Sequence, residues 1–426
     1  MNKPTVVAIN MGYGHLRPAH ALARLWGAPV YEADAAPMAA ASEQRRWATL
    51  RHGYELTSRL AAIGGIAAPA RAILDRVTRI APLHPRRDLS APSAAVKVLR
   101  RHAARGLGAA LVVELRRTGS PLVTTFFAPA LLADFHGYRD IFALVTDSDC
   151  HRIWAPFMPR ASNIRYLAPS PRVRERLLAY GVPAARIHLT GYPLPNELLG
   201  GPELPVLLAN LAARLVRLDP YGVFRQQLGA EVERRVGPLP KSEGSVAPHV
   251  AFAIGGAGAQ VDLAVTVLRG LRAALIARTL TLTLVAGIRT GAAAALARAV
   301  DEAGLAALLG GPLSILSAPT LETYFDAFNA MLARTDILWT KPSELTFFGG
   351  LGLALVLAPP IGAHEQYNRR WAVENGAAIV QRDPRHAGEW LTELLADGTL
   401  AYNAWSGFLR LPNRGLYAID GLLGGG

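Results

Sequence analysis

Short apolar runs rich in Val, Ile, Leu and Thr alternate along the chain with longer stretches in which Ala, Leu and Arg recur at helical spacing. The apolar runs fall at 5–10, 29–32, 122–126, 141–146, 164–167 and 187–190. A second series follows at 250–254, 281–286, 313–316, 337–340, 354–358 and 378–380. Helical stretches fill most of the intervals, as at 19–25, 171–180, 263–277 and 320–330. Continuous apolar runs suit strands covered on both faces, and strand–helix–strand alternation suits parallel sheets. The pattern predicts an α/β protein with two Rossmann-like, doubly wound domains facing a cleft.

The two series are separated by a connection between 191 and 248 that contains Pro193, Pro195, Pro202 and Pro205, then a helical piece over 206–218. A second, polar piece ends in Pro238, Pro240 and Gly244. A structureless loop of that length is uncommon, so the connection should carry helices of its own. The expected division is an N-terminal domain over 1–192, an interdomain insertion over 193–249, a C-terminal domain over 250–400 and a terminal helix and tail over 401–426. Trp405, Phe408 and Tyr417 in that tail predict that it docks. The uncharged stretch 345–363 is long enough to be weighed as a membrane span, but Gly349, Gly350, Gly352 and Pro359-Pro360 favour a helix, a strand and a proline loop. At the N-terminus, Lys3 precedes Val6-Val7-Ala8-Ile9, which reads as a first strand rather than a signal-peptide core.

Composition narrows the classes. With 51% hydrophobic and 18% charged residues, wholesale disorder is excluded. The single cysteine, Cys150, excludes an internal disulfide framework and a cysteine-based zinc site. Basic residues outnumber acidic ones by 45 to 32, and the excess is local: 44–117 holds fifteen Lys or Arg against four Asp or Glu, a net of +11. Such a patch attracts anionic lipid or nucleic acid. It lacks interleaved aromatics, so nucleic acid is not the expected partner.

Four motifs could carry chemistry. Gly12-Tyr13-Gly14-His15 follows the first strand, with Pro18 expected in the first turn of the next helix. It reads either as a turn that presents His15 to a ligand or as a structural turn whose histidine caps the helix. It lacks the spacing of a dinucleotide fingerprint. Thr146-Asp147-Ser148-Asp149, with His151 and Trp154, follows the fourth strand and reads as acid–base groups or as a polar loop; as a metal site it is the poorer reading. Gly255-Gly256-Ala257-Gly258-Ala259-Gln260 leads from a strand into a helix, where backbone N–H groups approach a pyrophosphate, although packing alone also calls for such turns. The last motif is split between Lys341-Pro342-Ser343-Glu344-Leu345-Thr346 and Pro360-Ile361-Gly362-Ala363-His364-Glu365-Gln366-Tyr367-Asn368, at the ends of two successive strands.

Taken in order, these motifs resemble the GT-B glycosyltransferases of the MurG and monogalactosyldiacylglycerol synthase family, over 5–26, 141–194 and 250–382. The stretch from Val145-Thr146-Asp147 through His151 and Trp154 to Thr190-Gly191-Tyr192-Pro193 looks most like the diacylglycerol branch. The resemblance implies an inverting transfer from a nucleotide-sugar, a UDP-sugar by family habit, to a lipid or lipid-linked acceptor, with no metal or other cofactor. It implies His15 as the base, with Asp147 orienting either the acceptor or the histidine, and Gly12, Tyr13 and Gly14 as the acceptor loop. Gly255, Gly256, Gly258, Gln260, Lys341, Ser343, Glu344, Thr346, His364, Glu365 and Asn368 would bind the donor. It also implies a cytoplasmic protein held peripherally on the inner membrane face, and the net charge of +11 makes 44–117 the expected contact. Two departures stand out. Gly349 occupies the position where the family places its ribose glutamate, with Glu344 nearby, and the usual Gln-Glu pair at the donor sugar is His364-Glu365. A catalytically silent binding protein of this fold and a nucleotide-sugar epimerase are the alternatives.

Overall fold

The computed structural model describes residues 3–50, 80–241, 246–253, 261–360 and 362–424. The chain divides into two units. The first comprises 1–194, 360–368 and 414–426; the second comprises 195–359 and 369–413.

In the first unit six parallel strands run in the order β2-β1-β3-β4-β5-β6. These are β1 Thr5–Ala8, β2 Val30–Glu32, β3 Leu122–Thr124, β4 Ile141–Leu144, β5 Ile164–Ala168 and β6 Ile187–Leu189. Thr5 pairs with Leu122, Leu122 with Ile141 and Ile141 with Ile164. Every residue of β1, β3 and β4 is buried, as expected of strands covered on both faces. The edges, β2 and β6, are only three residues long and partly exposed, which limits pairing with other chains. Helix α1 (Tyr13–Trp26) follows β1 directly. Its start lies ahead of the expected one, because Gly12 at φ 123° turns the chain and Tyr13 is already helical. Pro18 therefore sits inside the helix rather than in its first turn. The helix Ala109–Thr118 has no side-chain cap from Gly108; the buried Glu43 carboxylate supplies one, accepting from the N–H groups of Gly108 (3.1 Å) and Ala110 (3.0 Å). The terminal helix Gly415–Gly424 also belongs here, with Leu416 and Ile419 buried and Asp420 accepting from the Trp26 indole N–H at 2.7 Å.

The second unit repeats the plan with the order β12-β11-β10-β7-β8-β9, again all parallel. Its strands are β7 His249–Ala253, β8 Thr281–Gly287, β9 Leu313–Ser317, β10 Ile337–Thr340, β11 Ala354–Leu357 and β12 Ala378–Val380. The helices Pro205–Arg217 and Val223–Val236 of the connection belong to this unit. The first of them delivers Arg214, whose fully buried guanidinium donates to the carbonyls of Thr335 (2.7 Å) and Leu351 (2.8 Å). Burial draws Arg214 down to about 10, so it stays a cation at neutral pH and neutralises the carbonyl end of the 3₁₀ turn Glu344–Leu351. In the stretch weighed as a membrane span, 345–351 belongs to that turn and 354–357 forms β11. Among the described residues no helix is long and apolar enough to cross a membrane.

Candidate functional site

Open parallel sheets bind ligands beyond the carboxyl ends of their strands, where the strand order reverses. In the first unit the reversal lies between β1 and β3, and there the structure gathers residues from three strand ends. His15, in the first turn of α1, places Nδ1 2.8 Å from the main-chain carbonyl oxygen of Thr125 and 3.2 Å from Thr146 Oγ1. Thr125 answers with its own hydroxyl, which donates to the His15 carbonyl at 2.7 Å. The Phe126 ring meets the imidazole edge-on, with centroids 5.0 Å apart. A carbonyl oxygen carries no hydrogen, so Nδ1 must hold the proton. In neutral imidazole that leaves the lone pair on Nε2, as a general base requires. Gly12, Tyr13 and Gly14 form the entry to the same helix, with the Arg17 guanidinium 5.8 Å from the Tyr13 ring centroid. Gly12 is required by its backbone angle; nothing within 4 Å would obstruct a Cβ.

Asp147 lies one residue beyond Thr146, but its Oδ1 accepts from Asn368 Nδ2 at 2.9 Å. Asn368 Oδ1 in turn accepts from the Ser148 N–H at 2.8 Å, so this buried amide is bonded at both ends to the loop after β4. His15 thus takes its orientation from Thr125 and Thr146, which the sequence reading gave no role. Thr125 directly follows β3 next to the reversal point, and that position was the available signal. Asp149 is consumed structurally. Its carboxylate receives Arg176 in two bonds of 2.8 Å each and Arg172 at 2.9 Å, all but inaccessible to solvent. His151 Nδ1 accepts from the Ile153 N–H at 3.2 Å and caps a short 3₁₀ turn. Among the described residues no cluster of His, Cys, Asp or Glu could hold a metal ion. Burial and the neighbouring Asp149 raise the Cys150 thiol well above its ordinary value, which keeps it protonated and inert.

In the second unit the order reverses between β7 and β10. Gly255, Gly256, Gly258 and Gln260, expected beyond β7, lie outside the described residues. Lys341, Ser343, Glu344 and Thr346 follow β10. Thr346 is fully buried and builds the turn, donating from its hydroxyl to the Ser343 carbonyl at 2.9 Å. Lys341 and Ser343 are half-buried, and Glu344 is buried. A Cβ at Gly349 would lie 2.8 Å from Leu411 Cδ1 and 3.1 Å from Leu355 Cδ1, so a side chain there requires those leucine side chains to shift. His364, Glu365 and Asn368 fall in the first unit, where Tyr367 beside them donates to the Ile80 carbonyl at 3.1 Å. His364 is exposed, whereas Glu365 and Asn368 are buried.

No protein-family model and no curated protein matches the chain. Solved structures do. MurG from Acinetobacter baumannii matches at 14% identity and a TM-score of 0.50, over 100% of both chains. A UDP-GlcNAc 2-epimerase from Neisseria meningitidis, bound to UDP-GlcNAc, matches at 11% identity and a TM-score of 0.48, also over 100% of both. The glycosyltransferase SnogD from Streptomyces nogalater matches at 14% and 0.46, again over 100% of each. At these identities the likeness is one of fold: two Rossmann-like units of the GT-B kind.

Proposed function

We propose that this chain is an inverting glycosyltransferase that moves a sugar from a nucleotide-sugar, a UDP-sugar in the first instance, to a lipid acceptor at the inner membrane face. The observation that carries the reading is His15, whose Nδ1–H is engaged by the Thr125 carbonyl at the reversal point of the first sheet. Its Nε2 takes the acceptor hydroxyl proton as that oxygen bonds to the anomeric carbon. The bond to the nucleoside diphosphate breaks on the opposite face of the sugar, inverting the configuration. The leaving diphosphate needs electrostatic stabilisation, for which the 255–260 turn and Lys341 beyond β10 are the proposed groups. Ser343 and Glu344 are proposed for the nucleoside, Glu344 taking the ribose that a glycine at position 349 does not serve.

The test is release of nucleoside diphosphate from a panel of nucleotide-sugars with lipid acceptors, comparing the wild-type chain with His15→Ala. Loss of a general base costs about 10²–10⁴ in rate, so the variant should fall by that factor with its melting temperature kept. Undiminished turnover in His15→Ala removes the assignment. The lipid half of the proposal rests on charge. Among the described residues of 44–117, ten Lys or Arg face two Asp or Glu, five of them in the helices Ala94–Ala104 and Ala109–Thr118. Vesicles containing anionic lipid should bind the protein at low salt and release it as salt rises, at about 1 kcal/mol per basic residue near the surface. Equal sedimentation with neutral and anionic vesicles contradicts it.

A further inference from the structure

We propose that Thr146 is a positioning residue that holds the His15 ring against the main-chain carbonyl of Thr125, the partner that fixes the tautomer protonated on Nδ1. The inference deepens the reading of His15 as the base and rests on it for its catalytic meaning. Two oxygens from two adjacent strand ends converge on one ring nitrogen, at 2.8 Å and 3.2 Å. The first is a pure acceptor, which makes Nδ1 the donor while the ring faces it; the Thr146 hydroxyl, able to donate or accept, sets no tautomer itself but holds the ring in that orientation from a second side, so that without it the carbonyl bond is intermittent. Both oxygens are held. Thr125 is fully buried and tied to the His15 main chain by its own hydroxyl, while Thr146, 2% exposed, ends the run that the Asp149–Arg176 pair anchors. With Phe126 against the ring, rotation is blocked on a third side. Both oxygens that face Nδ1 are neutral, and the nearby Asp147 carboxylate is bonded to Asn368.

The experiment uses the full chain labelled with ¹⁵N in its histidine rings, and the His15 signals are identified by their loss in His15→Gln. The wild-type long-range ¹H–¹⁵N spectrum should show Nδ1 protonated and Nε2 bare. Thr146→Val should move both shifts toward the averaged values of a freely exchanging imidazole, and Thr146→Ser should return them. Thr146→Ala serves if the valine variant does not fold. A wild-type ring protonated on Nε2 overturns the proposal, as do unmoved shifts in a folded valine or alanine variant. Turnover separates the two readings. With an active wild type, Thr146→Val should lower kcat about tenfold and leave KM unchanged. A wild type that releases no nucleoside diphosphate from any nucleotide-sugar overturns the transferase reading, while the spectra still decide the role of Thr146.

Discussion

His249 opens β7 with its imidazole between two hydroxyls: Nδ1 lies 3.1 Å from Thr335 Oγ1 and Nε2 2.8 Å from Thr283 Oγ1. The Thr335 hydroxyl donates to the Met331 carbonyl at 3.0 Å, so its oxygen accepts the Nδ1 proton and Nε2 accepts from Thr283. Protonating that ring would set an N–H against a donor, in a buried place near Arg334 and Arg217. Burial first, and those two charges second, hold His249 down to about 4 from its ordinary 6.5. The unfolded chain therefore binds the proton more readily than the folded one. The stability due to neutral His249 is complete above pH 6.5 and is lost as pH falls from there through about 4. The loss should reach about 3 kcal/mol at the low end of that window. Burial raises Asp336 beside it, which offsets part of the loss at the acid end. Denaturant midpoints of wild type and His249→Gln across pH 4–7 check this: the wild-type curve should slope and the variant's flatten. His15 contrasts in its partner, since a main-chain carbonyl holds its Nδ1, and in its place at the carboxyl edge of a sheet.

At the scale of elements, the loop after β4 is braced along its length by the elements that follow it. The carbonyls of Ser148, Cys150, Trp154 and Ala155 accept from Ser170, Tyr180, Tyr166 and Arg152 respectively. Its anchor is Asp149, which pairs with Arg176 and Arg172 and accepts from the Cys150 N–H at 2.9 Å. Asp149→Asn would leave the buried Arg176 guanidinium opposite a neutral amide, at a cost of about 3–5 kcal/mol. Equilibrium denaturation measures it, and a change under 1 kcal/mol would show that the pair does not anchor the loop. All twelve strands were legible in the sequence, because a buried parallel strand must be continuously apolar and each was bounded by a turn or a helical stretch. The start of α1 was not, because proline is common at the first helical position and Pro18 marked the wrong turn. The candidate base was visible through Gly12 and Gly14; its partners were not. Hydrogen bonds across β1, β3 and β4 depend on strand order, which the spacing of residues along one chain does not reveal. Gly349 could be read as a departure, but that Leu411 and Leu355 stand where its Cβ would go needed the fold.

At the scale of the whole molecule, the chain enters the first unit three times, and its last visit is the helix Gly415–Gly424. That helix packs on α1, the element that carries His15. Gly415 sits so close to the Tyr192 carbonyl that a Cβ would lie 2.3 Å from the oxygen, which leaves only glycine at this contact. Leu416 and Ile419 are fully buried, and burying each such side chain contributes about 1.5–3 kcal/mol. The Trp26–Asp420 hydrogen bond adds about 1 kcal/mol. The end of the sequence is therefore part of the framework of the candidate site, although some four hundred residues separate it from His15 along the chain. Stopping the chain after Asn413 removes all of these contacts and uncovers the apolar flank of α1. The expected result is faster amide exchange over Tyr13–Trp26, with exchange in β10 and β11 of the second unit unchanged. The rate of the proposed transfer should fall in parallel, because His15 loses its fixed approach to Thr125. Exchange that rises equally in both units would show instead that the last helix supports the molecule as one cooperative body, and exchange unchanged over α1 would show that it contributes nothing to holding the base.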